Sequence, residues 1–316
     1  MGCQLNQRAY ELLTQTAQAA EELRIVSEPV PGGGRLYDFG VQAEGGLAAG
    51  LALARICLAD LGTCSLVAGS IAEVDWPHVL VTSDHPTDAC LLSQYAGWQV
   101  SVEKFFAMGS GPIRAAAGVE ELFDKLDYHE SPQQAVGILE TGTLPTKEIY
   151  RYFSEQTQIP PERIHLLVAP TASQAGNLQV VARSVETTLH KLFELGFDIR
   201  RIVSALGSAP LPPVAADDLT GIGRTNDAIL YGARVVLWVR GDDESLAAVG
   251  PQVPACASEA YGKPFLKIFE EAGRDFYAID PHLFSPAEVL IQNLDSGRIH
   301  RFGQRAPAIL SESFGI

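Results

Sequence analysis

Between Val136 and Ala205 the chain alternates short apolar runs with longer stretches of helical spacing, and nothing else in it restricts the fold as much. Val136–Glu140, Ile164–Ala169 and Arg201–Ala205 read as strands, while Thr146–Thr157 and the segment holding Arg183 and Glu186 read as helices. A βαβαβ order predicts a parallel sheet with crossover helices, and so an α/β fold. Such sheets take their ligands beyond the carboxyl ends of the strands. Here those ends lead into Thr141-Gly142-Thr143, Ala169–Ser173 and Gly207-Ser208-Ala209, three loops of small and hydroxyl residues.

The stretch from Leu178 to Leu192 reads as one helix. At a helical step, Leu178, Val181, Val185, Leu189 and Leu192 form an apolar stripe, and Gln179, Arg183, Glu186 and His190 fall in a separate sector about 60° wide. The spacing predicts a polar face of mixed sign lying off the core. Arg183 and Glu186 are three apart and can meet over one turn, an arrangement that is ordinarily a solvated ion pair.

With 316 residues, 47% of them hydrophobic, the chain can build two ordinary domains. The polar stretch Asp127–Gln134 is the best linker and divides it into 1–130 and 131–316, the second part carrying the Arg-x-x-Glu helix. The alternative is a discontinuous first domain that also takes in the C-terminal region. A net charge of −15 argues against a nucleic-acid surface, which needs clustered Lys and Arg; it offers a cationic small molecule a favourable field, although from composition alone such acidity more often serves solubility. The five cysteines are scattered without a CxxC pair, and the seven histidines show no HExxH, so neither a disulfide framework nor a metal site is expected. No apolar run is long enough to span a membrane, and Met1–Tyr10 lacks the pattern of a secretory leader; the expected address is the cytoplasm.

Two further stretches carry candidate residues. Val79–Thr82 reads as a strand ending at Ser83-Asp84-His85-Pro86, where Asp84 is placed to cap a following helix. Gly97–Phe106 reads as a strand opening into Met108-Gly109-Ser110-Gly111-Pro112 before a helix from Ile113, a turn suited to an anion or carbonyl. It is neither a dinucleotide fingerprint, since Arg114 stands at the third glycine position, nor a P-loop, since no Gly-Lys-Ser/Thr follows.

Six strings, in order along nearly the whole chain, resemble the methenyltetrahydromethanopterin cyclohydrolase family: Thr82–Pro86, Phe106–Pro112, Ala169–Ser173, Arg183–Thr187, Gly223–Gly232 and Tyr261–Phe265. Ala59-Asp60, where a glycine pair is usual, and Gln174-Ala175, in place of more apolar residues, depart from the family pattern. The resemblance implies hydrolysis of the methenyl bridge of the tetrahydromethanopterin derivative to the N5-formyl compound, without metal or redox cofactor. It also implies two α/β domains side by side with a cleft between them, and a homotrimer. The family's catalytic pair falls on Arg183 and Glu186: Glu186 as general base for water, and Arg183 orienting it or stabilising the intermediate. Asp84, His85, Met108, Gly109, Ser110 and Gly111 are expected along one wall of the pterin site, and Thr171 and Ser173 at pterin polar edges. The intact pair argues against a non-catalytic pterin carrier. A cyclohydrolase acting on the folate analogue is the other alternative.

Overall fold

A strand that is apolar at nearly every position needs both faces covered, and two runs in the chain have that composition. They are β7 (Ala135–Glu140) and β8 (Ile164–Ala169) of a computed structural model that describes residues 3–316, Met1 and Gly2 lying outside it. The two pair in parallel, Val136 beside His165 and Glu140 beside Ala169, and the Lys147–Thr157 helix connects them. β1 (Val26–Pro29), β2 (Arg35–Asp38), β5 (Trp98–Val102) and β6 (Phe105–Ser110) complete a six-stranded sheet in the order β1-β2-β8-β7-β6-β5. β2 is parallel to β8, and β1, β6 and β5 add antiparallel.

Alternate residues of the central strands point to opposite faces, and each face has its own core. Ile138 and Leu167 pack with Ala9, Leu13, Leu53 and Ile56 of the Leu5–Gln18 and Leu47–Cys57 helices. Leu139 and Leu166 pack with Ile149, Tyr150 and Phe153 of the crossover helix.

A second six-stranded sheet runs β12-β11-β10-β9-β4-β3, from β3 (Thr63–Ile71), β4 (Val74–Ser83), β9 (Ile202–Pro210), β10 (Arg234–Val239), β11 (Glu288–Asn293) and β12 (Ile299–Gly303). Only β10 and β11 are parallel, and β11 and β12 form the hairpin expected around Asp295-Ser296-Gly297.

β9 corrects the expected βαβαβ unit. It lies antiparallel between β4 and β10 in this second sheet, so the repeat stops after βαβ. The reason is in its composition: Ser204, Gly207 and Ser208 break the apolar run, and burial alternates along much of the strand, whereas β8 is buried throughout.

The division at residue 130 also gives way. The chain forms two units, one from the residues up to Gly62 with Asp88–Gln179, the other from Thr63–Thr87 with Val180–Ile316. The boundary follows strand pairing rather than the polarity of Asp127–Gln134, since β3 and β4 join the sheet of β9. Two segments are π-helical, Thr87–Gln94 and Ala228–Gly232, a geometry that periodicity does not reveal. Among the described residues, no helix is long and apolar enough to cross a membrane.

Candidate active site

The expected helix from Leu178 to Leu192 is two helices. Gln174–Val181 ends, Ala182 and Arg183 turn, and Ser184–Glu194 begins, with Arg183 as its N-cap and Glu186 in its first turn. The amide of Thr187 donates to the Arg183 carbonyl at 2.9 Å, which starts the new helix. N-cap and N3 positions face each other across a first turn, and the positive end of a helix favours a carboxylate there.

These residues are not solvated. Arg183 is 6% exposed, Glu186 4% and Gln179 1%, so of the polar sector only His190 is partly exposed. Burying an arginine and a glutamate costs several kcal/mol per ion unless each charge is answered, and proteins accept that cost at few places besides functional ones.

The seat of this helix start is β9. A Cβ on Gly207 would come within 2.3 Å of Ser184 Oγ and 2.8 Å of Val185 Cγ2, so only glycine lets the first turn lie this close to the strand. The expected loop at Gly207-Ser208-Ala209 is therefore strand, and its small residues serve packing. Two turns on, Lys191 is buried and donates to the His282 carbonyl at 2.7 Å, fixing the far end; burial pushes its ammonium down to about 8. His190 stands 3.6 Å from Glu194. Asp84 and His85 are exposed after β4. Asp84 accepts from Ser204 Oγ of β9 at 2.7 Å, and the His85 amide donates to Ser83 Oγ at 3.0 Å.

In the other unit, the carboxyl ends of β2, β8 and β7 carry a second polar group. Asp38 closes β2, and its two carboxylate oxygens accept from the amides of Gly40, Val41, Gln42 and Ala43 at 2.7–2.9 Å, which folds the following loop around it. Thr171, after β8, donates from Oγ1 to Glu140 at the end of β7. Ser173 Oγ donates to the Pro170 carbonyl at 2.8 Å and accepts from the Gly176 amide at 3.0 Å. Met108 pairs in register with Glu140 and is partly exposed.

Met108 and Thr171 are thus brought together at Glu140, and the helix expected from Ile113 is present, but of the expected turn before it only Gly111 and Pro112 are turn, since Gly109 and Ser110 are strand. Gly109 and Ser110 end β6 opposite Leu139 and Ile138, and the Ser110 hydroxyl lies 3.6 Å from Cys57 Sγ in the interior. Gly111 turns the chain at φ +87°, with Ile138 Cδ1 2.5 Å from where a Cβ would stand. Asp38 and Glu140 are the residues the sequence reading passed over. Their signal was present, a lone acid closing an apolar strand at the end where an open sheet binds ligands. Among the described residues, no three His, Cys, Asp or Glu side chains are gathered as for a metal ion.

An α/β fold with an arginine and a glutamate buried at one helix start has the marks of an enzyme. The sequence profile described as "Cyclohydrolase (MCH)" matches residues 4–314. Methenyltetrahydromethanopterin cyclohydrolase of Rhodopirellula baltica is 47% identical over 90% of this chain and 87% of its own. Its namesakes from Methylobacillus flagellatus and Methanococcoides burtonii are 43% and 38% identical, over 98% and 99% of this chain and 95% and 98% of theirs. The chain belongs to the cyclohydrolase (MCH) family, and it is a hydrolase acting on a cyclic amidine C–N bond.

Proposed function

We propose that the chain hydrolyses the methenyl bridge of 5,10-methenyltetrahydromethanopterin to the N5-formyl compound, reversibly. The observation that carries this reading is the joint burial of Arg183 and Glu186 at one helix start, in a chain of this family. The bridge carbon of the amidinium-like cation is already electrophilic, so a positioned water and a base suffice, and no metal or redox cofactor is called for. Glu186 takes one proton as the water oxygen bonds to the bridge carbon. The C–N10 bond then breaks, N10 takes a proton, and the added oxygen becomes the formyl oxygen as its own proton leaves. Arg183 orients Glu186 or holds that oxygen while charge develops on it. Asp84, His85, Met108, Thr171 and Ser173 contribute to pterin binding. Gly109, Ser110 and Gly111 shape β6 and the turn after it. We place the enzyme in the cytoplasm as a homotrimer, in line with the family resemblance.

The test is the decay of the methenyl chromophore with purified protein, with methenyltetrahydrofolate as parallel substrate. Decay with the methanopterin derivative, and slower decay with the folate, supports the reading. Binding without decay overturns it in favour of a carrier, and faster decay with the folate overturns the substrate.

A further inference from the structure

We propose that the outward face of the second sheet, over β9 to β12, is the surface through which copies of this chain associate. This rests on the homotrimer in the reading above and assigns that assembly its contact.

Burial alternates along β9, β10 and β11. Ala205, Gly207, Val235, Leu237, Val289 and Ile291 are buried, and the first turn of Ser184–Glu194 lies on Gly207. The residues between them point to the opposite face. An antiparallel sheet with one face toward water ordinarily sets polar side chains there. This face is different: Leu206, Val236 and Leu290 stand opposite one another in register, an aliphatic row across three strands, and all three are partly exposed. The next row is Trp238, Gln292 and Ile299, the last of them 65% exposed on the edge strand β12.

The charged outward positions of these four strands are Arg234, Glu288 and Arg301, grouped at one end of the face. Both arginines donate to Glu288, which is 1% exposed, so the surface there belongs to the two guanidinium groups. The rest of the chain is acidic enough to bring the total to −15. Two copies repel each other over most such surfaces, and here they can approach without setting carboxylate against carboxylate. Aromatic and aliphatic groups at the centre with arginine at the rim are the composition of an interface core. Six strands about 4.8 Å apart, each extended over roughly 17 Å, offer on the order of 500 Å². Two such faces together reach the roughly 1,000 Å² that a specific interface needs. Three copies around a three-fold axis can each turn this face inward, which gives every copy the same contacts and leaves no apolar row in water.

Leu290→Glu sets a carboxylate in the middle of the aliphatic row, and Ile299→Glu does the same at the edge, where the side chain is already mostly in solvent. Sedimentation velocity over a range of concentrations is expected to show the wild type as a trimer. Both variants are expected to sediment as monomers, with association weakened at least about 100-fold and near-ultraviolet dichroism retained. Val119→Glu, at a valine of the other unit that is 61% exposed, is expected to leave the trimer intact. Face variants that remain trimeric overturn this surface and leave the homotrimer standing. Dissociation of Val119→Glu to the same extent overturns it as well. A wild type that is monomeric but consumes the methenyl chromophore overturns the surface and the homotrimer together, and leaves the hydrolase reading in place.

Discussion

At the scale of the residue, the question is what a buried carboxylate is for. Glu186 lies at the positive end of a helix with an arginine at the N-cap, and both side chains are all but withdrawn from water. On the proposed mechanism Glu186→Gln removes the base without changing volume, so kcat is expected to drop about 10²- to 10⁴-fold with the melting temperature nearly unchanged. Chromophore decay and a thermal scan on the same preparation check both halves. Arg183→Lys keeps the charge but loses the planar fork of donors, and a fall in kcat of at least about 10-fold is expected from the same assay. The identity and spacing of these two residues were plain in the sequence, but their burial was not. A helical wheel assumes that one side of a helix faces solvent. On Ser184–Glu194 the buried positions include Ser184, Glu186, Thr188 and Lys191 as well as the apolar stripe, so within the polar sector of this helix only His190 reaches the surface.

At the scale of the element, the helix start is set by what lies beneath it. Gly207→Ala puts a methyl into Ser184 and Val185; the expected cost is about 1–3 kcal/mol, read by urea unfolding, with a fall in kcat as the first turn is pushed off β9. A second brace is Asp227, which accepts from the Phe265 amide at 2.7 Å and from Ser313 Oγ at 2.5 Å, joining the Phe265–Glu271 and Pro307–Phe314 helices to its own. Burial raises its carboxyl to about 7, against the pull of those two hydrogen bonds. The folded state therefore holds this proton more tightly than the unfolded chain. The stability it contributes is full below the unfolded value near 4, declines as pH rises, and is gone above about 7. Asp227→Asn is expected to flatten the fall of melting temperature between pH 4 and 7.

Elements with one dominant pattern were legible: Ile164–Ala169 is the strand the sequence predicts, and the Thr146–Thr157 helix differs only in that Thr146 is its N-cap. Two patterns misled for physical reasons. The apolar stripe runs unbroken through Ala182 and Arg183, so nothing in its period marks the break between the two helices. The strand from Arg201 has the right length for a third parallel strand, and only its small and polar residues separate it from the continuously apolar β7 and β8.

At the scale of the whole molecule, the chain passes between its two units at Gly62/Thr63, Thr87/Asp88 and Gln179/Val180. A cut at residue 130 leaves β3 and β4 without β9, and β7 and β8 without β2 and β6. Fragments 1–130 and 131–316 made separately are therefore expected to lack cooperative unfolding and near-ultraviolet dichroism. A separate fragment that melts sharply by itself would contradict this assignment of strands.

The same interleaving sets a timetable during synthesis. The β3–β4 hairpin leaves the ribosome long before β9, and at cellular elongation rates the roughly 120 residues between them take on the order of 6–24 seconds to make. For that interval β4 has a bare edge, while the strands of the other sheet are all present once β8 emerges. The nascent chain is thus most open to mispairing along one short hairpin and for one definable time, the natural window for a chaperone to act.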